Sequence, residues 1–255
     1  WQTGRFAIST AAFSAYLSIA ASLLLPGSCS ACKGPLSPAN QSLCDDCINE
    51  LPWLTNQCSR CALPLLEHSK PVICPDCQKK PPPFRRCVAA FNYQNPVDKL
   101  IAGVKTNPHA PELLQLSGLL ATTIADSYQN LNMPQLIIPL PLHWRKLTRR
   151  GFNQSYSIAK LLCQQLPGTE LRNDLCYRRT HSKPQHLQSK PQRLRLMRNA
   201  FAVSNRVDGL TVAIVDDVVT TKATATAAAS SLLKGGAKSV DIWCIARTGW
   251  HIAAP

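Results

Sequence analysis

Acidic residues are scarce in this sequence, with 14 Asp and Glu against 28 Lys and Arg in 255 residues. The shortage is local. From His143 to Arg206 only Glu170 and Asp174 offset 14 basic side chains, so this quarter of the chain carries +12 of the net +14. That balance disfavours a cationic partner and fits phosphates, on a small molecule or on nucleic acid. A basic surface that only confers solubility is the plainer alternative.

Charge is absent altogether from Phe6 to Leu25, FAISTAAFSAYLSIAASLLL, a run with the length of a membrane span. Its hydrophobicity is modest, since five of its residues are Ser or Thr. Phe6, Phe13, Leu17 and Leu24 recur at helical spacing and leave Ser14, Ser18 and Ser22 on another stripe. This predicts an amphipathic helix within residues 1–28, docked on the body or on a partner. Weak membrane association through 6–25 and a cleaved signal are the rival readings. The second lacks an A-x-A site, because the run ends in LLL and PGSC follows. The chain opens at Trp1 rather than Met, so a start further upstream is expected.

With 45% hydrophobic residues the chain is not wholly disordered. Its length has room for one domain of about 150 residues plus a smaller module. Of 12 cysteines, eight fall into four C-x-x-C pairs: Cys29 and Cys32, Cys44 and Cys47, Cys58 and Cys61, Cys74 and Cys77. Each such knuckle aims two sulfurs at one centre, so two successive pairs supply a tetrahedral Zn2+, and short loops favour sequential over crossed pairing. Gly34, just past the first knuckle, suits a tight turn. Four-cysteine sites are closed and structural, and thiolate chelation argues for a reducing compartment, most simply the cytoplasm, peripheral to a membrane if 6–25 associates with one. The module has no dense basic stripe with interleaved aromatics, which favours a scaffold or docking role over direct nucleic-acid contact. Cys87 and Cys244 read as strand core.

The run KKPPPF at 79–84 is a stiff linker, which separates a cysteine-rich module at 29–80 from a domain at 81–255. Beyond it strands expected at Cys87–Tyr93, Leu136–Leu142, Val212–Val215 and Val240–Ala246 alternate with helices expected at Val97–Lys105, Glu112–Tyr128, Asn153–Leu166 and Ala223–Lys234. Such alternation implies an α/β domain with a mainly parallel sheet flanked by helices. The Pro-, Gln- and Arg-rich stretch from Arg178 to Arg198 shows no such period. Gly235 and Gly236 stop the last helix, and Asp208–Gly209 makes a turn.

In VAIVDDVVTTKAT, four apolar residues lead to Asp216 and Asp217 at the carboxyl end of a central strand, the edge where open α/β sheets bind ligands. Thr220 to Thr224 then turn into a helix whose free N–H groups and dipole suit a phosphate, with the Thr hydroxyls as further donors. The two carboxylates can accept hydrogen bonds from ribose hydroxyls, and together these parts describe a 5-phosphoribosyl site. One residue is out of place. Lys222 stands where a phosphate loop wants glycine; forced to positive φ it would cost about 1 to 2 kcal/mol, though its ammonium could reach the phosphate.

This stretch resembles the phosphoribosyl diphosphate (PRPP) motif of type I phosphoribosyltransferases. With PLPLHWRKLTRRGFNQS at 139–155, RRTHSKPQHLQSKPQRLRLMRNAF at 178–201, FNY, LIAGVK and the paired cysteines, the chain resembles the ComF family from Leu23 to Gly249. The resemblance implies a double zinc ribbon fused to a type I phosphoribosyltransferase fold, and a role in competence or the use of external DNA. It implies PRPP with Mg2+ as ligand, Asp216 and Asp217 on the ribose, and Thr220, Thr221, Lys222, Ala223 and Thr224 around the 5′-phosphate. Leu140 and Pro141 would approach pyrophosphate. Arg149, Arg150, Gly151, Asn153 and Gln154 match a signature at a helix start, where an anion or acceptor base binds. Arg179, Thr180, Gln185, Arg193 and Asn199 match a mobile hood. Turnover would displace pyrophosphate from ribose C1, with Mg2+ and Arg149 and Arg150 neutralising the leaving group. The sequence marks no general base; His143, His181 and His186 lie in the relevant segments. The alternative from another class is a non-catalytic adapter that binds single-stranded DNA or a DNA-uptake protein.

Overall fold

The computed structural model describes residues 27–36, 41–65, 73–179, 200–204 and 207–249. The expected N-terminal helix and the hood positions Thr180, Gln185, Arg193 and Asn199 lie outside the described residues, as do His181 and His186. Among the described residues no helix is long and apolar enough to cross a membrane. The chain divides into two compact units, one ending at Glu50 and one beginning at Leu51.

The first unit holds a cysteine loop and a short helix, α1 (Asp45–Asn49), begun by Cys44 and two acidic residues that suit a helix N-terminus. The second unit opens with a similar loop and helix α2, Pro75–Lys79, where proline occupies a first-turn position that needs no N–H.

The rest of the second unit is a five-stranded, all-parallel sheet. Its strands are β1 (Arg86–Asn92), β2 (Leu136–Pro139), β3 (Glu170–Leu171), β6 (Thr211–Val219) and β7 (Ser239–Arg247), in the order β1-β7-β6-β2-β3. The crossovers contain α3 (Val97–Thr106), α4 (Pro111–Ser127), α5 (Trp144–Arg150), α6 (Gln154–Gln165) and α7 (Lys222–Lys234). A separate antiparallel hairpin pairs β4 (Cys176–Arg178) with β5 (Phe201–Val203).

Side chains alternate across a strand, so each strand contributes every second residue to one face. Leu136 and Ile138, Val212 and Ile214, and Val240, Ile242 and Cys244 form one buried face together with Ala225, Ala228, Ala229 and Leu232 of α7. The alanines let α7 approach the sheet closely. On the central strands both faces are covered, and eight of the nine residues of β7 are buried. Cys87 and Cys244 are buried in β1 and β7, as their neighbours predict.

Several elements differ from the expectation, and the short strands β3, β4 and β5 are not among the expected ones. The strand expected to end at Val215 continues to Val219, because Asp216, Val218 and Val219 still pair with Cys244, Ala246 and Arg247. The strand expected to reach Leu142 ends at Pro139, since Pro139 and Pro141 lack the N–H a ladder needs. Helix α5 occupies a stretch whose dense positive charge masked it; His143 caps it by accepting the Arg145 N–H at 3.3 Å, and the basic residues of its last turn suit a helix C-terminus. The hairpin arms bracket the stretch without apolar period. Gly236, at φ 100°, takes the left-handed turn after α7, and Gly209, at φ 72°, the turn before β6.

Candidate functional site

The two cysteine loops share one internal geometry. In the first, the Cys29 N–H donates to Gly34 O at 2.8 Å and the Lys33 N–H to Cys29 O at 2.9 Å. In the second, Cys58 donates to Leu63 O at 2.9 Å and Ala62 to Cys58 O at 2.8 Å. The tight turn expected at Gly34 therefore falls one residue earlier: Lys33 takes φ 66° and Ala62 φ 53°, the residue directly after the second cysteine of each knuckle. Gly34 instead donates its N–H to Cys32 Sγ at 3.4 Å.

Pairing is sequential. Cys29, Cys32, Cys44 and Cys47 form one tetrad and Cys58, Cys61, Cys74 and Cys77 the other, with the sulfurs of each within 4.8 Å of one another. A tetrahedral Zn2+ with sulfurs at ~2.3 Å separates them by about 3.8 Å. Cys32 and Cys44 are 3.8 Å apart and Cys61 and Cys74 3.7 Å, so the donor set fits that ion. Backbone N–H groups around Cys29 and Cys58 outweigh the effect of burial and bring these thiols down to about 6 and about 7. Burial and the neighbouring thiols push Cys61 and Cys77 upward, the repulsion that a bound divalent cation removes. The second tetrad is buried and belongs to the same hydrophobic core as Phe84, Val219 and Ala225.

At the carboxyl end of β6 a cavity of about 30 Å³ is lined by Leu140, Asp216, Thr220, Thr221, Thr224 and Ala225, among others. Burial, reinforced by the adjacent Asp217 carboxylate, holds Asp216 well above the usual carboxylate range. Its Oδ1 accepts the Ser155 hydroxyl at 3.0 Å and the Asp217 N–H at 2.9 Å. Asp217 does not line the cavity. Its Oδ2 pairs with Lys105 Nζ at 2.9 Å and receives the Gln154 amide at 3.4 Å.

The segment from Leu140 to Gln154 is held by its own side chains. Leu140 N–H is committed to Val215 O at 2.8 Å, and Asn153 Nδ2 holds Leu140 O at 3.1 Å while its Oδ1 caps α6 through the Ser155 N–H. Arg150 donates to Gln154 Oε1 at 2.9 Å, linking the basic signature to Asp217 through one buried amide. Arg149 is exposed. Gly151 ends α5 at φ 78°, a conformation that L side chains rarely adopt. Arg179 lies elsewhere, in a groove of about 290 Å³ with Tyr177 and Phe201 on the hairpin.

Thr221 is the N-cap of α7, at φ −110°, and Lys222 and Ala223 start the helix. Lys222 is thus not in a left-handed turn: among the described residues only Lys33 and Ala62 are non-glycine residues with positive φ. The strain expected at this position does not arise, because the chain enters α7 directly from an extended Thr221. The Lys222 ammonium lies 3.6 Å from Cys77 Sγ and 3.6 Å from Asp76 Oδ2.

Several site residues escaped sequence reasoning. Lys105, Ser155, Arg247 and Thr248 are brought in by the fold. Arg247 is 3% exposed. Its Nη1 donates to Val219 O at 2.9 Å and Thr220 O at 2.6 Å, and its Nε to Cys61 O at 3.0 Å. Thr248 Oγ1 also holds Thr220 O, at 2.9 Å. For Ser155 and Lys105 a signal existed, since both fall inside the stretches FNQS and LIAGVK.

These features define a chain with two four-cysteine metal sites and a parallel α/β domain flanked by helices. A model of the double zinc ribbon domain matches residues 20–78. The DNA utilization protein YhgH of Salmonella typhimurium is 35% identical over 231 residues, 89% of this chain and 99% of that one. Competence protein F of Haemophilus influenzae is 30% identical over 227 residues, 86% of this chain and 96% of that one. ComFC of Bacillus subtilis is 24% identical over 217 residues, covering 82% and 85%. A purine phosphoribosyltransferase from Pyrococcus horikoshii superposes over 55% of this chain and 76% of its own at 19% identity and a TM-score of 0.36. The chain belongs to the ComF family.

Proposed function

We propose that the turn from Thr220 to Thr224 binds the phosphate of PRPP or a related 5-phosphoribosyl ligand, in a protein serving the uptake or use of DNA. One observation carries the reading: Asp216 and three threonines converge on a single cavity at the carboxyl end of a central parallel strand, beside the N-terminus of a 13-residue helix. The positive end of that helix and its free N–H groups favour an anion there. The cavity's 30 Å³ is far below the ~300 Å³ of common ligand pockets, so it receives one end of such a molecule and the remainder lies over its rim. Asp216, once ionised, accepts from the ribose hydroxyls. Asp217, pinned by Lys105 and Gln154, orients the strand end and Asn153 fixes the Leu140 loop. A Mg2+ ion bound with PRPP would supply charge screening for the pyrophosphate. The role in DNA use is supported by the relatives, which are named for DNA utilization and competence.

The test is calorimetric titration of the zinc-loaded protein with PRPP and Mg2+, with ribose 5-phosphate and pyrophosphate in parallel. PRPP binds saturably and ribose 5-phosphate more weakly if the reading holds. Binding of pyrophosphate alone would place the ligand elsewhere.

A second reading has its own support. Helix α5 exposes Trp144 and Leu147 at 51% and 44%, with the Arg145 guanidinium 5.4 Å over the indole and His143 stacked on it at 5.9 Å. An exposed indole amid Arg145, Lys146 and Arg149 suits stacking of a single-stranded base and contact with its phosphates. Trp144→Ala weakens single-stranded DNA binding by at least about fivefold on this reading. Equal affinities in both proteins would remove it.

A further inference from the structure

A cation at the first position of a helix is poorly placed, because the helix dipole is positive there. Lys222 holds that position in α7, and its ammonium turns away from the cavity to the second cysteine tetrad, 3.6 Å from Cys77 Sγ and 3.6 Å from the carboxylate of Asp76, the residue before Cys77. A zinc tetrathiolate carries a net charge of −2, and Cys77 is buried, so the ammonium is an outer-shell partner for that charge. Arg247 makes a second connection from the same tetrad to the same turn. It takes Cys61 O on one side and Val219 O and Thr220 O on the other. One linkage leaves from each half of the metal site, from Cys61 in the knuckle and from Cys77 in α2.

We propose that Lys222 and Arg247 couple the second cysteine tetrad to the Thr220–Thr224 turn. Metal held by Cys58, Cys61, Cys74 and Cys77 orders the turn, and the turn in return helps to retain the metal. Lys222 is a positioning residue for the metal site, not a phosphate ligand. The importance of the coupling for a ligand rests on the proposed function, whereas the coupling itself does not.

Two measurements on the full zinc-loaded chain test it without any ligand. Zinc release to a chromogenic chelator is followed in wild type, Lys222→Met and Lys222→Arg, the slower and faster phases being assigned with Cys44→Ser, which disables the first tetrad. Lys222→Met releases zinc from the second tetrad about tenfold faster, the first tetrad is unchanged, and Lys222→Arg restores the wild-type rate. A lysine with a merely structural role would lower the melting temperature and leave both release phases alone. In wild type, chelation raises hydrogen exchange at Thr220–Ala225 more than at Leu136–Pro139, a comparison that needs no variant. Unchanged release in Lys222→Met, or exchange at the turn indifferent to chelation, overturns the proposal. A PRPP titration separates the two ideas. Absent PRPP binding with metal-linked exchange removes the proposed function and leaves the coupling. PRPP binding with unlinked exchange does the reverse.

Discussion

Lys105 Nζ lies 2.9 Å from Asp217 Oδ2, joining the end of α3 to the end of β6 across a sequence separation of more than a hundred residues. The carboxylate is nearly buried, with its side chain 8% exposed, while the lysine is 28% exposed. Removing the cation leaves a buried charge short of its main partner. Lys105→Met therefore destabilises the protein by about 1 to 3 kcal/mol in urea unfolding. In the double variant with Asp217→Asn the losses do not add, because the isolated charge is gone. Additive losses would show that the pair does not interact.

Asp216 predicts a gain of stability on mutation. Its pKa is raised in the folded protein by burial and by Asp217, so the folded state binds the proton more tightly than the unfolded chain does. The stabilisation by protonation is full below the ordinary carboxylate pKa and is lost as pH rises through the raised value. Asp216→Asn, which keeps an acceptor for Ser155, raises the melting temperature by at least about 2 to 4 °C at pH 7. The gain shrinks towards zero as the pH approaches the ordinary carboxylate range. A gain independent of pH would show that the shift is not its source.

Arg247 is satisfied by carbonyls from both sides of the site, an arrangement a single ammonium cannot span. Arg247→Lys destabilises by about 2 kcal/mol or more, seen as a lower urea midpoint. A midpoint within error of wild type would contradict this.

The second tetrad belongs to the core that also holds Phe84, Val219 and Ala225. Cys77→Ser should lose one zinc by elemental analysis and lower the melting temperature by at least about 4 °C. Zinc content at the wild-type level would mean that Cys77 is not a ligand.

Much of this molecule is legible in its sequence, for identifiable reasons. The cysteine tetrads are local, so spacing and short loops favour the sequential pairing that the fold adopts. The strands at Val212 and Val240 are continuous apolar runs because both faces of a parallel sheet are buried. What escaped reading depends on three-dimensional neighbours. The stretches FNQS and LIAGVK pointed to Ser155 and Lys105 without naming their partners, and Arg247 looks like an ordinary strand-end cation until the fold sets it against the Cys61 and Thr220 carbonyls. Lys222 illustrates the limit. Its position in the motif suggested strain at a phosphate loop, but the fold supplies an extended Thr221 before it and a thiolate cluster within reach of its ammonium.

The most direct test of the ligand assignment is the dissociation constant of PRPP with Mg2+ in wild type, Asp216→Asn and Thr224→Val. Saturable binding is expected in wild type, weakening about tenfold or more in each variant, since a lost hydrogen bond to a charged group costs roughly 1.5 to 3 kcal/mol. Equal affinity in all three proteins, or no saturable binding in wild type, would contradict it.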